Sequence, residues 1–249
     1  SRGLGDVYKR QKYDLETGYF IYAPKVEGVK QAEQYYMGCG DDLYLVEPLQ
    51  WIVLETNGSD SIIISNKVID GGRKYNNLYG ECNWINSSMR NWLNGTDEYD
   101  VSTGEAYKTE LNFLNRAFTD NEISKIKSVN ITTGDNEIYG TDGGGSSTDK
   151  IYFLSASEFE KYFKTEGSEF NATAYATDYA KARGVAAGKD SDANWWLRDP
   201  GAITYMLGVN RAGVVTEGGF SVHDMTEGVR PVLRVPSSAL QKVEVQTNK

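Results

Sequence analysis

The stretch ANWWLRDPG, residues 193–201, sets two of the chain's five tryptophans and an arginine directly before a Pro-Gly turn. In a strand, adjacent Trp195 and Trp196 must point to opposite faces, because side chains alternate along extended backbone. One ring is therefore expected in the core, and the other on a surface or against a second packed layer. A tryptophan pair beside an arginine could also form a platform for a sugar or a cation. The turn favours scaffold: Trp196, Arg198, Pro200 and Gly201 read as a post that closes the core and holds the loops that follow. Arg198 and Arg230 both adjoin proline-containing turns, where a buried arginine bonds loop carbonyls or a carboxylate.

Downstream, residues 203–209, a hairpin at Asn210-Arg211-Ala212-Gly213, residues 214–216 and residues 228–235 read as short strands joined by Gly-rich loops. Upstream, EPLQWIVLETNGSDSIIIS (residues 47–65) reads as a hairpin turning at Asn57-Gly58-Ser59-Asp60, with Trp51 in the core. NSSMRNWLN (86–94) spaces Met89, Trp92 and Leu93 for one face of a short helix stopped at Asn94-Gly95, which also places Trp92 in the core. Trp84 is expected to pack over that helix start. Two further helix starts carry capping-box chemistry, Thr119 with Glu122 and Ser155 with Glu158. A buried strand is expected at 150–154 and a helix at 174–184. The polar, Gly-rich stretch 131–149 reads as a mobile surface loop.

The chain has 249 residues, enough for a sizeable core, and a formal net charge of −9 from 35 acids and 26 bases. That balance supplies no basic stripe for nucleic acid or for a membrane surface. The 17 tyrosines and 26 glycines argue for a loop-rich α+β or β domain and against a helical bundle. No window approaches the length of a membrane span. The opening SRGLGDVYKRQ, residues 1–11, reads as a translated sequencing-adapter remnant, with any export signal lost before it. Without its Arg2, Lys9, Arg10 and Asp6 the chain keeps 23 bases and 34 acids, a net −11. Residues 12–235 are then expected to form one domain, and 236–249 a polar tail or linker.

Catalytic motifs are sparse. No nucleophile elbow, phosphate loop, zinc-protease helix or dinucleotide fingerprint occurs. The one histidine, His223, is the only base that could partner a serine or a cysteine nucleophile, and it reads as a loop residue. Cys39 and Cys82 with that histidine cannot complete a zinc site, and both a disulfide and two thiols stay open. Asp135, Glu137, Asp142 and Asp149 could attract calcium, the one cofactor considered, but lack the order of an EF-hand loop.

PLQWIVLE, IIISNKVID, NWINSSMRNWLN, FLNRAFTDNEISKI, TDKIYFLSASEFEKYF, TAYA, NWWLRDPG and GVRPVLRV follow one another as in the bacterial family known as domain of unknown function 6273. The resemblance covers residues 22–235. It implies a surface or secreted protein of Gram-positive gut bacteria. The WWLR strand, the following G-x-V and the closing GVRP are similar to the formylglycine-generating-enzyme branch of the C-type lectin-like fold. The implied architecture is α+β, with short twisted antiparallel sheets, a few short helices and long loops. No cysteine follows Asn83, so the formylglycine-generating chemistry is excluded, and the EPN, QPD and WND motifs of calcium-dependent lectins are missing. The chain departs from the family in a longer insert at 95–111 and in Asp199, where serine is usual.

The function expected first is non-enzymatic recognition of a glycan, a peptide or a surface protein. Tyr205, Asn210, Arg211, Phe220, His223 and Asp224 would form the binding face, and Trp51, Trp92, Trp195, Trp196, Arg198 and Arg230 the scaffold. The rivals are a hydrolase, using acids from 135–149 or Asp190 and Asp192, and a structural spacer. Two facing carboxyls, one in an apolar setting, would favour the hydrolase.

Overall fold

The computed structural model describes residues 49–100, 103, 104, 106–109 and 111–240, with the strands Lys12–Tyr13, Phe20–Tyr22, Gln34–Cys39 and Asp42–Leu45. The adapter-like segment 1–11 and the tail from 241 lie outside the described residues.

Short antiparallel sheets and a few short helices make an α+β architecture. The hairpin of Trp51–Asn57 and Asp60–Ser65 pairs Asn57 with Asp60, and Gly58 takes the left-handed φ of 61° that its two-residue turn requires. Trp51–Asn57 is an edge strand, so Trp51 is half-buried and stacks on Phe118 instead of entering the core. The other flank of Asp60–Ser65 pairs with Val232–Pro236, which pairs in turn with Ile151–Tyr152. A segment from the end of the chain thus occupies an inner place in the sheet, and its Val232, Leu233 and Val235 are buried. Beyond it, Ser237–Ala239 forms one short helical turn, and Ser237 bonds Ser59 and Ser61, so this part of the expected tail is docked.

A second sheet joins Trp195–Pro200, Tyr205–Val209 and Phe220–Ser221. Trp195 and Trp196 are both fully buried, each on its own face. Trp195 meets Phe159, Phe163 and Arg230, and Trp196 meets Tyr75 and Phe220. The second face is a packed layer, so neither ring is a platform. Trp84 and Trp92 are buried as well, Trp84 with its indole N–H donated to Asp149 at 2.9 Å.

Helix Ser88–Asn94 is capped by Ser87 and closed by left-handed Gly95, and both capping boxes form, on Asp120–Lys125 and on Ala156–Phe159. The last continues as one π-helical stretch, Glu160–Lys164.

Four further expectations change. The helix placed at 174–184 is only Asp178–Ala182, because Ala174–Tyr175 pairs with Asp192–Ala193 and Thr177 caps the helix after it. The 131–149 stretch is a hairpin, Val129–Thr133 against Gly145–Asp149, with Ile131, Thr133, Ser147 and Asp149 turned inward. Residues 214–216 hold no strand, only a bridge from Val215 to Val209. The strand read at 150–154 is Ile151–Tyr152 alone.

Asp100 accepts from Ser88 Oγ, Asn77 Nδ2 and Tyr107 OH. Cys39 and Cys82 are free thiols, and burial pushes Cys82 up to about 12.

Candidate ligand-binding face

The post at 193–201 does what an internal brace does. Arg198 is 2% exposed and forks onto both carboxylate oxygens of Glu158, while donating to the carbonyls of Phe153 and Thr132. Glu158 accepts these bonds and also caps Ser155 N, so the pair ties one helix start to the strand. Asp199 accepts a hydrogen bond from Ala156 N, so this acid reinforces the same helix start. Burial pushes the Asp199 carboxyl up, against the pull of that amide and of Arg198. Arg230 is equally buried but has no carboxylate: its Nε donates to Ser65 O at 3.0 Å, its cation lies over Trp195 and Phe163, and burial draws it down to about 9.

The loop after the post is held as firmly. Gly201 N donates to Tyr205 O and Ala202 N to Gly218 O, while Val222 N donates to Thr204 O. Tyr205 stands opposite Ser221, more than a third exposed at 39%. Two other segments converge here. From the first, Asn76 N donates to Val222 O, and Tyr79 OH accepts from Thr204 Oγ1. Tyr79, 63% exposed, packs edge-on against His223, whose Nε2 donates to Asn77 O at 3.0 Å. The second segment is the tip of the 129–149 hairpin. Asn136 Nδ2 donates to Pro200 O and Thr141 Oγ1 to Gly201 O, and Asn136 Oδ1 accepts the amides of Ile138 and Tyr139. A Cβ placed on Gly218 would sit 3.4 Å from Tyr139 OH, which sets that ring beside the post loop.

The three segments thus meet, and Leu78, Tyr79, Ile138, Tyr139, Ile203 and Tyr205, which they carry, are solvent-exposed. Residues 76–80, 135–142, 202–206 and 216–224, which build this face, contain Asp135, Glu137, Asp142, Glu217 and Asp224 but no lysine or arginine.

The six expected binding residues fall into two places. Tyr205, Phe220, His223 and Asp224 lie at this face or under it. Phe220 is half-buried against Trp196 and crosses Gly208, where a Cβ would lie 2.5 Å from its ring. Asn210 and Arg211 sit at the other end of Tyr205–Val209, roughly 15 Å away at the rise of an extended strand. There Asn210 Oδ1 organises its own turn, and Arg211 N donates to Asn194. Leu78, Tyr79, Ile138 and Tyr139 went unnoticed in the sequence. Asn136, two and three residues before exposed aliphatic and aromatic side chains, is the one local signal that a fixed turn would display them.

The acids considered for hydrolysis are engaged separately. Asp149 pairs with Arg90 and accepts from Trp84 and Ser147, Asp135 holds Gly143 N, and Asp142 holds Gly144 N. Asp190 is exposed, and Asp192 lies against Gly188. A pair the sequence did not suggest is Asp224 and Glu227, which both face the Thr226 hydroxyl, at 2.8 and 3.3 Å. Glu227 is 2% exposed, and its Oε2 meets no N–H or hydroxyl donor. Burial, then the neighbouring Asp224, raises its carboxyl to about 7. Asp224 accepts from Thr226 N and Oγ1 and is held below the ordinary carboxylate range by those bonds, against the effect of burial. Among the described residues no group of three or more His, Cys, Asp or Glu could hold a metal ion, and no helix is long and apolar enough to cross a membrane.

No curated protein and no solved structure matches the chain. One family model does match, over residues 59–237, from the turn of the first hairpin to the end of the inner strand. That span takes in the post, the three converging segments and most of the core, and it places the chain in the family described as Domain of unknown function (DUF6273).

Proposed function

We propose that the chain is a non-enzymatic ligand-recognition module of C-type lectin-like architecture, displayed on or secreted from a bacterial cell. The observation that carries this reading is the convergence of Tyr79, Tyr139 and Tyr205 from three distant segments onto one exposed face. Rings so placed are costly to leave in water. Hydrogen bonds of the loop backbones fix them in advance, which lowers the ordering cost of binding. The fold-level part of the reading rests on short antiparallel sheets and long loops around an arginine-containing strand.

An array of glycans and of surface-protein fragments, probed with the full chain, tests it. The triple variant Tyr79→Ala, Tyr139→Ala, Tyr205→Ala should lose binding at least ~10-fold, since aromatic anchors contribute about 1–2 kcal/mol each. Arg211→Ala, at the far end of the strand, should not change it. Binding that survives the triple variant places the site elsewhere.

A second reading, an acid–base enzyme, is favoured only by the Asp224–Glu227 pair, because two carboxyls with divergent proton affinities are an acid–base arrangement. Against it, the Glu227 carboxyl is enclosed. Hydrolysis of any ester, glycoside or peptide panel member that disappears in both Asp224→Asn and Glu227→Gln would establish this reading over the first.

A further inference from the structure

We infer that the occupant of this face is a protein segment in which lysine or arginine alternates with apolar side chains. The inference rests on the recognition reading above and names its ligand class.

Two features of the surface separate a protein from a sugar. The first is aliphatic. Leu78, Ile138 and Ile203 are 61%, 80% and 65% exposed among the tyrosines. Sugar rings lie on flat aromatic faces and need surrounding hydrogen-bonding side chains for orientation, and branched aliphatics provide neither. A mixture of tyrosine, isoleucine and leucine is the composition of a protein–protein contact, where apolar side chains of the partner fill the spaces between rings.

The second feature is charge. The face is built from segments with five acids and no lysine or arginine, and among these Glu137 and Glu217 are solvent-exposed. Acidic partners and phosphate-bearing ligands would be repelled. A basic side chain gains twice, from the rim carboxylates and from the exposed faces of Tyr79 and Tyr205 as cation–π acceptors. The hydrogen bond from Thr204 holds Tyr79 by its hydroxyl and His223 packs against its ring, yet the residue stays 63% exposed.

The test selects a random dodecapeptide display library on the full chain and counter-selects it on the triple tyrosine variant. The same two proteins are applied to an array of neutral and acidic oligosaccharides. Peptides that survive should be enriched at least ~2-fold in lysine and arginine and bind with roughly micromolar Kd. Their affinity should fall about 5–10-fold with Glu137→Gln plus Glu217→Gln, and should weaken with added salt. Both glutamates are exposed, so an unchanged melting temperature in that double variant separates lost contact from lost fold. Surviving peptides that are neutral or acidic overturn the inference, as does affinity indifferent to the two glutamates. An oligosaccharide signal abolished by the triple variant, with no peptide selected, overturns the inference and leaves the recognition reading standing. Absence of both signals overturns both.

Discussion

Arg198 and Arg230 are buried alike, yet only Arg198 has a counter-charge. Replacing Arg198 by methionine removes a bidentate ion pair and abandons the buried carbonyl of Phe153. Such losses add to about 3 kcal/mol. Arg230→Met removes a cation that has one carbonyl and two aromatic rings, in surroundings that already disfavour its charge. Methionine keeps the ring contacts, so urea unfolding should show a change below about 1 kcal/mol. Equal costs for the two variants would mean that Arg230 has a partner the geometry does not reveal. Gly72 gives a harder limit. Its φ is 67°, and a Cβ there would sit 1.7 Å from Arg183 O, so Gly72→Ala has no conformation to adopt without moving backbone. A loss above ~3 kcal/mol, or no folded protein, is expected.

Among elements, the two capping boxes look alike in sequence and differ in consequence. Thr119 and Glu122 satisfy each other on a helix with no buried residue, so Thr119→Ala should cost about 1 kcal/mol. Glu158 performs the same cap and also neutralises Arg198, so Glu158→Ala strands a buried guanidinium and should cost about 3–5 kcal/mol. Chemical denaturation of the two variants side by side decides whether the cap or the ion pair dominates. The caps were legible because donor and acceptor lie three residues apart. The strand at Ala174–Tyr175 was not, because Ala193, its partner, determines it from nineteen residues away against a helix-compatible local sequence. The 131–149 hairpin failed for the same reason in polar form. Its inward Asp149 is tolerable only because Arg90 and Trp84, some sixty residues earlier, supply a charge and a donor.

For the whole molecule, the order of motifs made the α+β class legible, while the exposed tyrosine face was not. Tyr79, Tyr139 and Tyr205 meet only after the hairpin tip and the post loop have docked, and no spacing encodes that. The closure of the chain carries the last expectation, a dependence of stability on pH. Glu227 sits where three segments are stitched together: Ile69 and Asp70 exchange backbone bonds with Val229, and Ala186 N donates to Thr226 O. Its carboxyl ionises near 7 in the fold and near an ordinary 4.5 when unfolded. The folded state therefore holds the proton more tightly, and the resulting stabilisation is complete below pH 4.5 and lost as pH rises through about 7. At most about 3 kcal/mol is involved, which for a chain of this size corresponds to roughly 5–10 °C in Tm between pH 5 and 8.5. Glu55 and Asp178, held low by bonds from Lys161 and Lys181, act in the opposite sense but only in the acid range below that window. Glu227→Gln cannot ionise, so its Tm slope across the window should fall to what Asp70 and Asp199, carboxyls also raised by burial, contribute. A wild-type slope that persists unchanged in Glu227→Gln would assign the titration to another group and remove Glu227 from the closure.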